Sequence, residues 1–232
     1  TVLIGNHRDI SLLLGTSFSG DGPDRRREAS EAAFARFPKL TTIASTARHV
    51  ENATTHAIHE VAGAKFLNDV AITKRGSVLV SDMLASTIYA LQGDKVSKVA
   101  SGVELDSPNG LLVNGGTLYI AGWGRDIQAS FETLTLGRLL ALDLRTRKVQ
   151  PVTKVTVGNL DGLELDGKGG FLVTDWVEGA VLHISARGAV TSVLDLPKGS
   201  ADIAYLSKKK LLIVPQMLEN KVTAYDLSGV IK

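Results

Sequence analysis

The stretch Phe66-Leu67-Asn68-Asp69-Val70-Ala71-Ile72 decides the fold, because variants of it return three times farther along the chain. The variants are Ser107-Pro108-Asn109-Gly110-Leu111-Leu112-Val113, Asn159-Leu160-Asp161-Gly162-Leu163-Glu164-Leu165 and Ser200-Ala201-Asp202-Ile203-Ala204-Tyr205-Leu206. In each, an Asn or Asp opens a short apolar strand, and Asn68, Asn109, Asp161 and Asp202 lie 41, 52 and 41 positions apart. A period of about 40 to 50 residues is typical of an array of repeated blades.

Further short strands follow each opening stretch. They are predicted at 77–82, 86–91 and 95–99, at 116–121, 137–142 and 148–152, at 170–175, 180–184 and 189–194, and at 210–214 and 220–225. β-rich runs bounded by Gly, Asn, Asp and Lys indicate strands and hairpins, and four strands per period describe a propeller blade. The sequence therefore predicts an all-β fold, a β-propeller of four-stranded blades.

We expect one domain over residues 1–232 with six blades rather than five, although the length alone does not decide between the two. The 232 residues lie between the roughly 210 that five blades need and the roughly 250 that six need. Residues 57–232 hold the four clear repeats, whereas residues 1–56 are irregular, with a short helix predicted at 28–37. We expect either compressed first blades or an altered N-terminal part.

Composition excludes several classes of protein. The 26 basic and 24 acidic residues are well mixed and leave a net charge of +2, so no basic stripe indicates nucleic acid. The sequence has no cysteine and therefore no disulfide framework or thiolate metal site. No apolar run reaches the roughly 18 residues of a membrane helix. We therefore expect a soluble protein that is cytoplasmic or, since the chain starts at Thr1 rather than Met and a signal peptide is sometimes removed, periplasmic or secreted.

Propeller geometry predicts where a site would form. The first strand of each blade lines the central channel, and the second runs back, so Asn68, Asn109, Asp161 and Asp202 should converge at one mouth. The ends of the second strands add pocket candidates there, namely Asp82, Trp123, Asp175, Trp176 and Gln216. Oxygen ligands without His or Cys indicate a hard cation, and calcium suits their number better than magnesium. Alternatively, the Asx residues are turn formers before a strand, and the two Trp residues pack between blades.

Three of the opening stretches resemble those of a known family. Leu67-Asn68-Asp69-Val70, Pro108-Asn109-Gly110-Leu111 and Leu160-Asp161-Gly162-Leu163, in that order, are similar to successive blade openings of the six-bladed regucalcin, gluconolactonase and paraoxonase superfamily. The resemblance covers about residues 57–232. It implies that Asn68, Asn109 and Asp161 bind a catalytic calcium ion, or another divalent cation in its place. It also implies, by analogy with paraoxonases, a second calcium at Asp69.

The chain departs from this family at one ligand. The family's remaining calcium ligand is a Glu in the opening blade, and the available residues, Glu28, Glu31, Glu51 and Glu60, do not precede a clear strand. Loss of an anionic ligand weakens calcium binding. The departure therefore bears on catalysis more than on the fold.

Two functions follow from the sequence. The resemblance implies a hydrolase of lactones or related esters, in which calcium polarises the substrate carbonyl and Asp161 or Asp202 takes a proton from water. The alternative is a propeller that binds a small ligand or a protein partner without chemistry. The segment 123–136 accounts for the longer 52-residue interval and is expected either to cover the mouth as a lid or to form a surface loop.

Overall fold

The computed structural model describes residues 11–12, 42–46 and 55–231, with side chains from residue 58 onward. Strands dominate these residues, and two 3-10 helices, Val103–Leu105 and Met217–Glu219, interrupt them. No helix in the described part of the chain has the length and apolar character that crossing a membrane requires. The all-β class predicted from the sequence is confirmed.

A three-stranded antiparallel sheet lies nearest the N-terminus. Its strands, in the order β1-β2-β3, are β1 (Ser11–Leu12), β2 (Thr42–Thr46) and β3 (Thr55–Glu60). The helix predicted at 28–37 lies outside the described residues. The division of the chain at residue 57, and its assignment to one domain, stay predictions.

Four antiparallel sheets follow along the chain, and we number them as blades one to four. Blade one contains β4 (Leu67–Ile72), β5 (Val78–Asp82), β6 (Thr87–Gln92) and β7 (Lys95–Ser101). Blade two contains β8 (Pro108–Asn114), β9 (Thr117–Gly122), β12 (Leu139–Asp143) and β13 (Val149–Pro151), with a separate hairpin, β10 (Gly124–Ile127) and β11 (Thr133–Leu136), inserted between its second and third strands. Blade three contains β14 (Leu160–Leu165), β15 (Phe171–Asp175), β16 (Ala180–Ile184) and β17 (Val190–Asp195). Blade four contains β18 (Ala204–Leu206), β19 (Leu211–Gln216) and β20 (Lys221–Asp226).

The outermost strand of each blade is its most exposed strand. All five residues of β15 are buried, whereas β17, at the edge of the same sheet, has no buried residue. A strand buried on both faces needs apolar residues on both, and β15 accordingly reads Phe-Leu-Val before its two polar residues.

The hydrophobic cores lie between neighbouring blades. One cluster joins blades one and two through Ile88, Leu111 and Leu140, and another joins blades two and three through Leu139, Leu160 and Phe171. A third joins blades three and four. Each sheet is therefore covered by the next in a propeller-like arrangement. Four blade sheets, not six, are present in the described residues, and the six-blade count stays a prediction.

Candidate functional site

The first strand of every blade opens with the same β-bulge. In blade one, Leu67 pairs with Asp82 and Val70 with Val80, so two residues of the first strand face one of the second. The same shift occurs in blades two and three, and the bulged pairs are Asn68-Asp69, Asn109-Gly110 and Asp161-Gly162. In blade four, the bridge between Ser200 and Gln216 and the pair Ala204–Ile213 leave three residues opposite two, again one extra residue, and counting from the bridge makes Ala201-Asp202 the equivalent pair. Bulges re-aim side chains and are common beside functional sites.

The bulge corrects the alignment of blade four. We expected Asp202 to match Asn68, Asn109 and Asp161, but Ser200 bridges to Gln216, which places Ala201 first in the bulge. Asp202 is second, equivalent to Asp69. In both acids Oδ1 accepts the next backbone N–H, from Val70 at 2.6 Å and from Ile203 at 2.8 Å. Asp202 keeps the 41-residue spacing from Asp161, but it corresponds to the second bulge residue of the other blades and not to the first.

The first bulge residues of blades one to three lie in direct contact. Asn68 Nδ2 donates to Asn109 Oδ1. Asn109 in turn donates from Nδ2 to the carbonyl of Leu160 at 3.1 Å, and its side chain lies close enough to Asp161 to lower the pKa of that acid. The structure thus brings together the three residues for which the sequence predicted metal binding, and that role stays a prediction.

Two buried hydroxyls hold the bulges in place across blade boundaries. Ser81 Oγ accepts the Asp69 N–H at 2.8 Å and donates to the Asn109 carbonyl at 2.7 Å. Thr174 Oγ1 accepts the Gly162 N–H at 2.7 Å and donates to the Ala201 carbonyl at 2.8 Å. Each hydroxyl therefore fixes its own bulge against that of the next blade.

Carboxyl groups from different blades share this region. Burial and, to a smaller extent, the nearby charge of Asp202 raise the pKa of Asp161 to about 8, while Asn109 opposes the shift. Burial also raises the pKa of Asp202 to about 6. Asp161 and Asp202 keep part of their surface accessible, yet the surrounding protein removes much of their hydration.

Two further acids belong to the same electrostatic cluster. The pKa of Asp69 is raised well above its usual value by burial and by the charge of Asp202, although N–H groups of Leu111 and Val70 hydrogen-bond it. Burial and Asp202 raise the pKa of Glu164 to about 7. The sequence analysis missed Glu164, whose position within an alternating apolar strand gave no signal beyond the charge itself.

Two of the predicted pocket residues are occupied by backbone hydrogen bonds. The Asp82 carboxylate accepts N–H groups of Lys65, Phe66 and Ala85 at 2.8 to 3.1 Å. Asp175 accepts those of Asn159, Val177 and Glu178 at 3.2 to 3.3 Å. At one end of its blade, each of these acids connects the segment before the first strand to the turn after the second strand.

The other pocket candidates differ among themselves. Gln216 is buried within blade four, where its Nε2 donates to the Tyr225 hydroxyl at 3.2 Å and its Oε1 accepts from Thr223 at 2.9 Å. Trp123 and Trp176 lie together, with ring centroids 5.9 Å apart. Placing these residues does not decide their predicted pocket role.

The three candidate ligands are of the chemical type that a hard cation prefers. Asn68, Asn109 and Asp161 offer oxygens only, which is what calcium prefers. Among the residues that the structure describes, no three His, Cys, Asp or Glu are grouped closely enough to hold a metal. A cation here would therefore depend on the two amide oxygens as well as on Asp161. Of the family's Glu alternatives, Glu60 is exposed at the end of β3, and Glu28, Glu31 and Glu51 lie outside the described residues.

Comparison with known proteins adds information at the level of the fold. No family model and no curated protein sequence matches the chain. Among solved structures it is similar to virginiamycin B lyase from Staphylococcus aureus, at 11% identity and a TM-score of 0.56, over 83% of this chain and 69% of that one. It is also similar to a gluconolactonase from Xanthomonas campestris, at 17% identity and a TM-score of 0.57, over 75% and 65%.

A third solved structure, a nidogen–laminin complex, matches at 16% identity and a TM-score of 0.62, over 83% of this chain and 73% of the matched chain. At these identities the likeness concerns the fold alone. Together with the four blade sheets, it places the chain among proteins of β-propeller architecture.

Proposed function

We propose that the protein is a calcium-dependent hydrolase of lactones or related esters, built as a six-bladed propeller. The observation that carries the proposal is the contact of Asn68, Asn109 and Asp161, which come from three successive blades and have Asp202 beside them. The similarity to a gluconolactonase structure supports it at the level of the fold.

The raised pKa of Asp161 favours a cation at this position. A carboxyl with a pKa of about 8 is largely protonated at neutral pH, and a divalent cation beside it would replace that proton. The residues that would hold the ion are Asn68, Asn109 and Asp161. Calcium, when bound, would polarise the carbonyl of the substrate.

Of the two candidate bases, Asp202 is better placed than Asp161 to accept a proton from water. It stands second in its bulge, beside Asp161 but outside the chain of contacts that joins the three candidate ligands. A base with a pKa of about 6 is ionised at neutral pH and can accept a proton from water. The hydrogen bond from Asn109 Nδ2 to the Leu160 carbonyl fixes the orientation of the Asn109 amide.

A thermal melt tests the cation. Calcium should raise the melting temperature of protein that was first made calcium-free, because a ligand that binds only the folded state stabilises it. Asp161→Asn should abolish this rise. Asp195→Asn, which changes an exposed acid of the same blade, should keep it. An absent calcium response in the parent protein would reject the metal-dependent hydrolase.

Hydrolysis tests the base. With calcium bound, Asp202→Asn should lower kcat for a lactone by about 10²-fold or more, the range usual for loss of a general base. The calcium-induced rise in melting temperature should persist in this variant. Unchanged kcat would remove Asp202 from the mechanism.

A binding propeller without chemistry is the second candidate. The similarity to a structure of a nidogen–laminin complex, in which proteins associate, favours it. Specific binding of a ligand or protein that a chelator does not change, together with no hydrolysis of lactones or esters, would identify this function.

A further inference from the structure

The fold separates charges that are mixed along the sequence. In the four blades, one set of connecting segments lies at the mouth, where each first strand begins. A second set lies at the opposite end, where each first strand turns into the second and each third strand ends. We call this second set the distal turns; they are 73–77, 93–94, 115–116, 144–148, 166–170, 185–189, 207–210 and 227–231.

The distal turns are strongly basic. They contain ten Lys or Arg residues and only two acidic residues, Asp94 and Asp166, whereas the mouth segments between residues 61 and 220 contain five basic and seven acidic residues. Three of the ten cations lie in 144–148 and three in 207–210. A net charge of +2 for the whole chain therefore conceals one basic end.

These cations are available to a partner. Nine of the ten are exposed, and Lys210 is partly buried. Within the described part of the chain, none of the ten is joined to a carboxylate in an ion pair. Unpaired cations gathered at one end of a molecule produce a positive potential that attracts polyanions.

A cavity opens among the distal turns of blade three and the segment that follows β20. Its volume is about 440 Å³, and its lining includes Lys168, the hydroxyl residues Ser185 and Ser192, and the apolar residue Val230. Val230 is 50% exposed. Cavities of this size hold small ligands, so this one could take a single polar group with a short apolar stem.

The acid in this cavity already has partners. Asp166 Oδ2 lies 2.9 Å from His183 Nε2, and Asp166 Oδ1 accepts the N–H groups of Lys168 at 2.6 Å and Gly170 at 2.9 Å. The carboxylate is therefore satisfied by the protein itself. The Lys168 ammonium group remains without a carboxylate partner in the described residues, and it favours an anionic ligand.

We propose that the distal turns dock onto an anionic lipid membrane and that the cavity receives the phosphate-bearing headgroup of one lipid. Each Lys or Arg near an anionic membrane surface adds to the attraction. The distal turns have no aromatic residue on which bases could stack and no helix that could enter a groove, which favours lipid over nucleic acid. This inference does not rest on the proposed function, because the mouth lies at the other end of the blades.

Vesicle flotation tests the docking. The probes are vesicles of pure phosphatidylcholine and vesicles that also contain phosphatidylserine, in a buffer of low ionic strength. Binding to the phosphatidylserine vesicles should be stronger by about tenfold or more, and it should weaken as salt is added. Equal binding to the two kinds of vesicle, or binding to neither, would overturn the proposal.

Charge reversal locates the contact. Lys208→Glu combined with Lys209→Glu should weaken binding to phosphatidylserine vesicles by about tenfold or more. Lys65→Glu combined with Lys154→Glu is the matched control, since it changes the net charge equally but at the mouth, and all four lysines are exposed. The control should weaken binding by less than about twofold. Equal losses would show that net charge and not the distal turns governs binding, and would overturn the proposal.

Two single variants test the headgroup site. Lys168→Glu and Arg187→Glu each reverse one exposed cation in a distal turn of blade three, but of the two only Lys168 lines the cavity. Lys168→Glu should weaken binding to phosphatidylserine vesicles about threefold or more beyond the loss in Arg187→Glu. Equal losses would overturn the headgroup site.

Duplex DNA supplies the competing polyanion. When DNA is added at the same phosphate concentration as the lipid, the protein should stay on the phosphatidylserine vesicles. Displacement from the vesicles by DNA would overturn the membrane as partner and identify nucleic acid in its place.

Discussion

Ser81 and Thr174 show how single hydroxyls organise the channel end of this protein. Each is fully buried and accepts a backbone N–H from its own bulge while donating to a carbonyl of the next blade. Because one hydroxyl serves both the backbone N–H and the carbonyl, its loss leaves a buried donor and a buried acceptor without partners.

Thr174→Ala should lower the free energy of unfolding by about 1 to 3 kcal/mol, the usual cost of unsatisfied buried polar groups. Urea denaturation would measure the change. Thr174→Ser is the matched control, because it keeps the hydroxyl, and it should lose clearly less stability. Equal losses in the two variants would mean that the methyl group, not the hydroxyl, matters.

At single residues, the sequence predicted which side chains carry suitable oxygen atoms better than it predicted what each side chain does in the fold. It selected Asn68, Asn109 and Asp161, which do come into contact. It also selected Asp82 and Asp175, whose carboxylates are occupied by backbone N–H groups. In the sequence, Asp161 looks the same as Asp82 and Asp175, because each is an Asp next to the end of a strand. Only the fold decides which backbone N–H groups face the carboxylate.

The bulge is the element on which the site depends. It adds one residue at the start of the first strand, so that two residues face one of the second strand. This pair supplies both a candidate site residue and a contact with the next blade. In blade three the pair is Asp161-Gly162, and an added Cβ at Gly162 would lie 2.6 Å from the Ile203 nitrogen and 2.8 Å from the Asp202 Cα. Only glycine allows the two blades to approach so closely there.

Gly162→Ala should therefore destabilise the protein by about 1 to 3 kcal/mol, as overpacking does, and should weaken calcium binding by displacing Asp161 or Asp202. Urea denaturation and calcium titration would measure the two effects. Gly116→Ala is the control, since its added Cβ would meet nothing within 4 Å. A stable variant with unchanged calcium affinity would contradict the close approach.

Strand positions were predictable, but the register of blade four was not. Turn residues bound each apolar run, and the four-strand pattern follows from them. Asp202 keeps the 41-residue spacing from Asp161, and nothing in the sequence shows that pairing begins at Ser200 and gives the first place to Ala201. A bulge changes alignment by one residue, and spacing alone does not detect it.

In the whole molecule, burial raises the pKa of acidic groups in blades three and four, and the charge of Asp202 adds to the shift of Asp161 and Glu164. The pKa of Asp161 is about 8, that of Glu164 about 7 and that of Asp202 about 6, against ordinary values of 3.8 and 4.5. At pH values between the ordinary and the raised pKa values, the folded protein binds more protons than the unfolded chain. The free energy of unfolding therefore depends on pH.

Without divalent cations, the contribution of these groups to stability should be highest below about pH 4 and should fall as the pH rises from about 4 to 8. We expect a loss of at least about 1 kcal/mol between pH 5 and pH 8, the energy of one pKa unit. Urea midpoints with chelator present would measure it, and Asp161→Asn should flatten the profile. Stability that rises over this range would contradict the shared burial of these acids.

The sequence predicted the architecture of residues 57–231 because the repeat shows each blade separately. It did not predict how blades pack, since the clusters between blades combine residues far apart in the chain, such as Leu111 with Ile88 and Leu212 with Val181. The number of blades beyond the four described also depends on residues whose sequence has no clear repeat.

Ala201 has a consequence for engineering and for the divergence of such proteins. The bulge backbone of blade four matches the others, but its first side chain is a methyl group where blades one to three have an amide or a carboxyl. A propeller can therefore change the side chain at this position one blade at a time while the scaffold stays constant. Ala201→Asp would offer a fourth oxygen beside Asp161, and a tighter or different metal preference could be selected from this single substitution.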